Sequence, residues 1–407
     1  MSTSTGSHRI ASPFTATVEG QRHEIYAEYA RTGSVHRIAM PTGVPLWLVT
    51  GHEEARSLLT DPRLVKGGWE ARARWSPPGS RLPPDVARGL HTHMLTADPP
   101  DHGRLRRLAT KAFTRRRIDS LEPRIRTLTT DLLGALDGDD EADLVASLAY
   151  PLPIAVITEL VGIPEEGRED FRGWAVPLMA PGIVSPEVAA AAATKLHGYT
   201  RELIARKRRS PEDDLLSDLI AARDGGDRLD GDELTSMVYL LVFAGHETTV
   251  NLIANGVLAL LANPDQLALV RAEPDRLADA IEELLRYDGP VQGTLPYLTV
   301  EPVEVGGVTI PADELVMISV LAANRDPARF PGGDRLDVTR PAAAHLAFGH
   351  GLHYCLGAPL ARLQGQIAIG ALLDRFPALR LGVPVETLTR SPSMIVNSLT
   401  ALPVRLR

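Results

Sequence analysis

The only cysteine of this chain, Cys355, lies in the string Phe348-Gly349-His350-Gly351-Leu352-His353-Tyr354-Cys355-Leu356-Gly357, which leads directly into an apolar stretch. Gly349 and Gly351 allow sharp turns at positive φ and a close approach of the backbone to a flat cofactor, which a Cβ would obstruct. Gly357 is expected to do the same beyond the thiol. A helix is expected from Ala358-Pro359, with proline in its first turn, so that free backbone N–H groups and the positive dipole end lie near sulfur. Such surroundings favour thiolate over thiol and make Cys355 a metal-ligand candidate. Thiolate is also the ligand that pushes electron density onto haem iron and favours O–O cleavage. A buried structural cysteine is the plain alternative.

The string fits Phe-Gly-x-Gly-x-His-x-Cys-x-Gly, and through it the chain resembles the cytochrome P-450 monooxygenases, with further motifs in the family's order from residue 98 onward. The resemblance implies a mainly α fold with small β-sheets, shaped as a triangular prism, with haem b (iron protoporphyrin IX) between a long helix I and helix L. Phe348, Gly349 and Gly357 would then border the cofactor, and Cys355 would ligate its iron.

Composition limits the rest. A net charge of −8, a pI of about 5.9 and the lack of a basic tail argue against nucleic acid as a partner. One cysteine excludes an internal disulfide framework. The first ten residues lack the apolar core of a signal peptide. The longest apolar stretch, Met237 to Ala262, is interrupted by His246, Glu247, Asn251 and Asn255, so a buried helix is expected rather than a membrane span. A cytoplasmic, monomeric protein follows as the expectation.

All 407 residues are expected to form one domain. A β-rich part covers about 30–60, an α-rich core about 100–290, a hairpin, meander and cysteine loop about 291–357, and a last helix and loop 358–407. Strands are predicted at His36–Met40, Leu46–Thr50, Val303–Ile310 around a Gly-Gly turn, and Leu315–Leu321. Residues 66–95 read as a long loop, and Pro177, Pro181, Gly182 and Pro186 read as helix interruptions in a lid. Asp232 is predicted to cap a helix that runs from Glu233 to Ala262.

Midway along that helix, Ala244-Gly245-His246-Glu247-Thr248-Thr249 resembles the family's oxygen-binding motif. Small Ala244 and Gly245 would leave space above the iron. Thr248 can divert a helix carbonyl to its hydroxyl, and Glu247 and Thr248 suit a proton relay to dioxygen. Glu283 and Arg286, at i and i+3, with Arg340, match the family's structural Glu-x-x-Arg scaffold. His102 and Arg106, one turn apart, and His353 match its propionate donors, since propionates call for cationic or hydrogen-bond donors. Where the family usually has an arginine, ten residues before Gly307, this chain has Tyr297. A phenol donates one neutral hydrogen bond, so Tyr297 is a haem-contact candidate, and Tyr297→Arg is expected to tighten haem retention.

By motif register, Met94, Leu95, Leu241, Ala244, Val291, Leu295 and Ile395 are expected to line an apolar substrate pocket, which suits a sizeable hydrophobic molecule. The basic cluster Arg104, Arg107, Lys111, Arg115, Arg116 and Arg117 is expected to steer an acidic ferredoxin. The resemblance implies hydroxylation or epoxidation of a macrolide, polyketide or other secondary metabolite, as in antibiotic biosynthesis. Dioxygen would be the cosubstrate, with electrons from NAD(P)H through ferredoxin reductase and ferredoxin. Oxidative coupling, peroxide-driven chemistry and a non-catalytic haem-thiolate sensor are the alternatives.

Overall fold

The computed structural model describes residues 10–68, 82–179, 185–222, 227–341 and 344–407. Residues 1–9, Pro181, Gly182 and most of the Asp224–Asp227 break lie outside the described residues, as do positions 69–81 of the expected long loop.

Among the described residues are ten short strands, of which seven make up the largest sheet and a hairpin: β1 (Val35–Ala39), β2 (Pro45–Val49), β3 (Leu64–Val65), β4 (Tyr297–Thr299), β5 (Val303–Val305), β6 (Val308–Ile310) and β7 (Leu315–Ile318). Five of them build one sheet in the order β1-β2-β7-β4-β3, joining residues 35–65 to residues 297–318. Antiparallel β3 and β4 pair Val65 with Leu298 and Leu64 with Thr299. The β5-β6 hairpin turns through Gly306 and Gly307, whose φ values of 57° and 73° favour glycine. The predicted strand to Leu321 stops at Ile318, because Ser319 accepts a hydrogen bond from the Ala322 N–H and caps a short helix, Val320–Ala323.

Four helices position the site: α1 (Asp101–Ala112), α2 (Gly231–Ala262), α3 (Leu277–Asp288) and α4 (Ala358–Arg375). The longest, α2, begins two residues earlier than expected. Asp230 rather than Asp232 caps it, in a capping box with Glu233, and Asp232 falls in its first turn. This helix is long and apolar enough to cross a membrane, but two-thirds of its apolar window is buried inside the protein. Closely packed glycines set its crossing with α4. A Cβ on Gly365 would lie 3.1 Å from the Leu252 side chain, and one on Gly256 would lie 3.1 Å from Ile369.

Two expected loops contain helix. Pro84–His91 is helical within the predicted 66–95 loop, led by Pro84 in its first turn. Pro177 sits inside the helix Glu165–Met179, while Pro186 opens the helix Pro186–Arg209 under the Ser185 cap.

Candidate active site

The cysteine loop takes the conformation that its glycines allow. Gly349 and Gly351 have φ values of 73° and 70°, and a Cβ on Gly351 would meet the Leu59 carbonyl oxygen at 2.8 Å. The Cys355 N–H donates to the Phe348 carbonyl oxygen at 2.9 Å and closes the loop. Gly357 differs from expectation. Its φ of −84° is open to any residue, and a Cβ there would make only an ordinary contact, 3.9 Å from Cys355 Sγ.

The helix α4 starts at Ala358 as predicted, with proline in its first turn. Burial nevertheless pushes the Cys355 thiol up. The backbone N–H groups of Gly357 and Ala358 and the charges of Arg106 and Arg362 oppose that effect without overcoming it. The helix end alone therefore does not make the thiolate, and the proton must leave when a metal binds.

Behind the loop lies the expected ion triangle. Arg286 on α3 grips Glu283 with Nε at 2.7 Å and Nη2 at 2.8 Å, and Arg340 Nε reaches the same carboxylate at 3.4 Å. The remaining guanidinium donors go to main chain. Arg286 donates to the carbonyls of Asn324, Gly333 and Arg335, and Arg340 donates to those of Pro331 and Gly332.

A second clamp escaped sequence reading. Arg362 on α4 makes a fork to Glu282 at 2.6 and 2.7 Å and stacks over Phe348, with its Cζ 4.4 Å from the ring centroid. Burial would raise the Glu282 carboxyl, but Arg362 and His345 hold it down at about 2. Neighbouring Glu282 and Glu283 are equally plausible in sequence, and no spacing rule picks out the first.

On α2, Ala244 is exposed, and a Cβ on Gly245 would meet Ile157 Cδ1 at 3.0 Å. The Thr248 hydroxyl donates to the Ala244 carbonyl at 2.5 Å, while the helix stays α throughout. Glu247 turns to the carboxy-terminal loop, where its Oε1 accepts from Ser398 Oγ at 3.0 Å and from Asn251 Nδ2 at 3.4 Å. Burial raises the Glu247 carboxyl above its ordinary range, against the opposing hydrogen bonds of Ser398 and Asn251. His246 is fully buried, with its ring 4.6 Å from that of Tyr150, so it lies against protein as expected.

Ser398 is held by a buried polar network that sequence reading also missed. Arg390 pairs with Asp288 at 2.6 Å and Glu19 at 2.5 Å, Arg22 donates to Asn397 at 2.6 Å, and Asn255 on α2 donates to the Asn397 carbonyl at 2.8 Å. Its members lie far apart in sequence, from residue 19 to residue 397, so no local pattern marks it.

The basic donors converge from separate elements. His102 on α1 and His353 in the loop have ring centroids 4.6 Å apart, and Tyr297 on β4 lies 6.4 Å from His353. Burial, followed by the charges of Lys66, His102 and Arg106, lowers His353 to about 3, and burial and Arg106 lower His102. The Tyr297 phenol is raised by burial and by Asp98, so it stays protonated. His102 Nε2 is buried and has no hydrogen-bond partner among the described residues. A buried orphaned nitrogen amid cationic side chains fits a site for the carboxylates of haem.

The apolar candidates do not form one patch. Met94, Leu95 and Leu241 pack in the main helical core, Val291 against the sheet cluster, and Ile395 against the amino-terminal cluster. The Gln292 N–H donates to the Ile395 carbonyl at 2.8 Å, bringing the 291–295 segment beside the last loop. Leu295 is half-buried.

The basic cluster also divides. Arg104 pairs with Glu233 and Asp227, Arg115 with Asp119, and Arg117 with Asp213 and Asp218. The cluster members Arg107 and Lys111, together with Arg106, line a groove of about 900 Å³ shared with Gly351 and Leu352 of the cysteine loop. Leu352 is 53% exposed and Tyr354 41%.

Comparison with known proteins places this geometry. Residues 185–399 match the family model described as cytochrome P-450. The chain is 48% identical over 387 residues to cytochrome P-450 107B1 of Saccharopolyspora erythraea, covering 94% of this chain and 95% of that protein. It is 41% identical over 388 residues to the 6-deoxyerythronolide B hydroxylase of the same organism, covering 94% and 96%. The tirandamycin C-bound monooxygenase TamI superposes with a TM-score of 0.87 at 44% identity, covering 95% of this chain and 98% of that one. With the thiol loop, the helix motif and the ion triangle all in the order that the resemblance implied, this chain belongs to the cytochrome P-450 family of haem-thiolate monooxygenases.

Proposed function

We propose that this monooxygenase hydroxylates or epoxidises a hydrophobic secondary metabolite of macrolide or polyketide type, in one domain acting in the cytoplasm. Its electrons come from NAD(P)H through a ferredoxin reductase and a ferredoxin. The observation that carries this reading is the pairing of a fixed hydroxyl, Thr248 on Ala244, with the adjacent buried carboxyl of Glu247.

Haem b, when bound, supplies an iron that takes thiolate as its ligand and activates dioxygen. Cys355 provides that sulfur at the end of the glycine-bounded loop. His102, Arg106 and His353 would hold the propionates, Tyr297 would donate its phenol proton there, and Glu283, Arg286 and Arg340 keep the loop in shape. Exposed Ala244 leaves room on the face of α2 beside Thr248 Oγ1, whereas Gly245, against expectation, serves the close packing of α2 on Ile157.

Glu247 carries the proton. Its raised pKa keeps it able to hold a proton on the carboxyl oxygen that does not accept from Ser398 Oγ, and rotation would hand that proton to Thr248 Oγ1. Burial shields the Glu247 carboxyl itself from bulk water.

The substrate class rests on relatives whose names specify 6-deoxyerythronolide B and mycinamicin IV as compounds acted on, and on TamI with tirandamycin C bound. The apolar, half-buried residues Leu95, Val291, Leu295 and Ile395, with Met94, Leu241 and exposed Ala244, suit such a ligand. For the ferredoxin, Arg107 and Lys111 of the groove beside exposed Leu352 offer a basic rim next to an apolar centre.

The test is a reduced carbon-monoxide difference spectrum, then turnover of a macrolide panel with ferredoxin, reductase and isotopically labelled dioxygen. A thiolate-type band and one labelled oxygen atom in the product are expected. Coupled products without label would replace oxygen insertion by oxidative coupling, and a tightly bound ligand that is never turned over would replace catalysis by sensing.

A further inference from the structure

The missing arginine at position 297 has a structural answer. In the β3-β4 register Val65 faces Leu298, so the next residue, Lys66, comes opposite Tyr297. Its Nζ lies 3.1 Å from the centroid of the Tyr297 ring and donates to the Leu295 carbonyl at 3.0 Å. Lys66 is only 7% exposed.

The position of Lys66 is built rather than incidental. Asp98, just ahead of α1, accepts the backbone N–H groups of Lys66 and Gly67 at 2.7 and 2.8 Å, and Gly67 and Gly68 have φ values of 68° and 69°. One carboxylate therefore ties the lysine to the helix that carries His102 and Arg106. Across the site, Tyr297 contacts the ring of His353, and His102 presents its buried, unpartnered Nε2. A long flexible stem ending in a buried ammonium is stable where an anion meets it.

We propose that Lys66 is the cation that a haem propionate meets in the place left by Tyr297, so that this chain has moved the charge from β4 to the end of β3. The two positions are cross-strand neighbours, so an ammonium reaching from one can serve the volume that a guanidinium would reach from the other. The proposal rests on the haem assignment, which the carbon-monoxide spectrum of the parent holoenzyme tests separately.

The experiment follows the transfer of haem from holoenzyme to an excess of apomyoglobin. Lys66→Gln is expected to speed transfer about tenfold, the loss of one charge-assisted contact. Lys66→Arg should keep the parent's rate. Tyr297→Arg should add little beside Lys66, yet return the rate of Lys66→Gln towards that of the parent, a non-additive cycle. Lys66→Met removes the charge while keeping the aliphatic stem on the ring, and serves if the glutamine variant folds poorly. Parent-like haem loss in both charge-removing variants would overturn the proposal. So would faster loss that Tyr297→Arg fails to reverse, because Lys66 would then act by packing β3 on β4 and not through its charge.

Discussion

Glu247 and Ser398 are joined across the molecule by a 3.0 Å hydrogen bond from the serine hydroxyl to Oε1, which points the carboxyl of the long helix at the carboxy-terminal loop. Asn251 reinforces the arrangement by donating to Ser398 Oγ at 2.9 Å and to the Glu247 carbonyl at 2.9 Å. The proposed proton donor thus points to the carboxy-terminal loop, and its release would be a rotation out of this clasp. Glu247→Gln is expected to slow dioxygen-dependent turnover about a hundredfold, with substrate affinity by spectral titration unchanged. Ser398→Ala should shift the coupling of electrons to product and the solvent isotope effect. Parent-like values for both quantities in Ser398→Ala would mean that the clasp has no part in proton delivery.

The same carboxyl has a pH signature. Burial raises the folded-state pKa of Glu247 above its ordinary 4.5. Between these values the folded protein holds a proton that the unfolded chain has released, so stability falls as pH rises through that window, and the cost is complete above it. The melting temperature of Glu247→Gln should therefore exceed the parent's above the window, the gap closing as pH falls to 4.5 and below. A constant gap at every pH would exclude ionisation as the cause.

Removing Glu283 strands two arginines, one of them buried with Glu283 in a fork. Glu283→Ala is expected to cost about 3–5 kcal/mol and to lower the fraction of protein that retains haem, measured by denaturant unfolding and by the haem-to-protein absorbance ratio. Full haem content at parent stability would show that the triangle does not support the thiol loop.

Reduction by ferredoxin should depend on the groove and not on the whole basic cluster. The double variant Arg107→Glu, Lys111→Glu should be reduced about tenfold more slowly at low ionic strength, with a flatter salt dependence. Arg115→Ala should change little, since Arg115 is already paired with Asp119 at 2.9 Å. Stopped-flow reduction at several salt concentrations separates the two.

Cys355→Ser should fold with unchanged helix content yet lose the thiolate-type carbon-monoxide band, because a hydroxyl does not replace the sulfur ligand. A retained band would move the iron ligand elsewhere.

The parts of the site written in contiguous residues were legible before any coordinates. The thiol loop, Glu247-Thr248 and Glu283-Arg286 each sit within a turn or two of helix or loop, where spacing fixes the face. The start of α2 was harder, since Asp230 and Asp232 are both acceptable caps and only the hydrogen bond to the Glu233 N–H chooses between them. Lys66 and Ser398 were invisible for a stronger reason. Each meets its partner through strand register or loop closure across more than a hundred positions, from Lys66 to Tyr297 and from Glu247 to Ser398. Tyr297 was the exception, found by counting back along the chain from the Gly306-Gly307 turn, though its meaning awaited the residue opposite.

Beyond their shared carboxylate, Glu283, the two scaffold arginines grip main-chain oxygens, at Asn324, Pro331, Gly332, Gly333 and Arg335. A support that recognises backbone is indifferent to the side chains hung on it. The segment before the thiol can therefore drift in sequence, altering the surface that a redox partner meets, while the sulfur stays where it is.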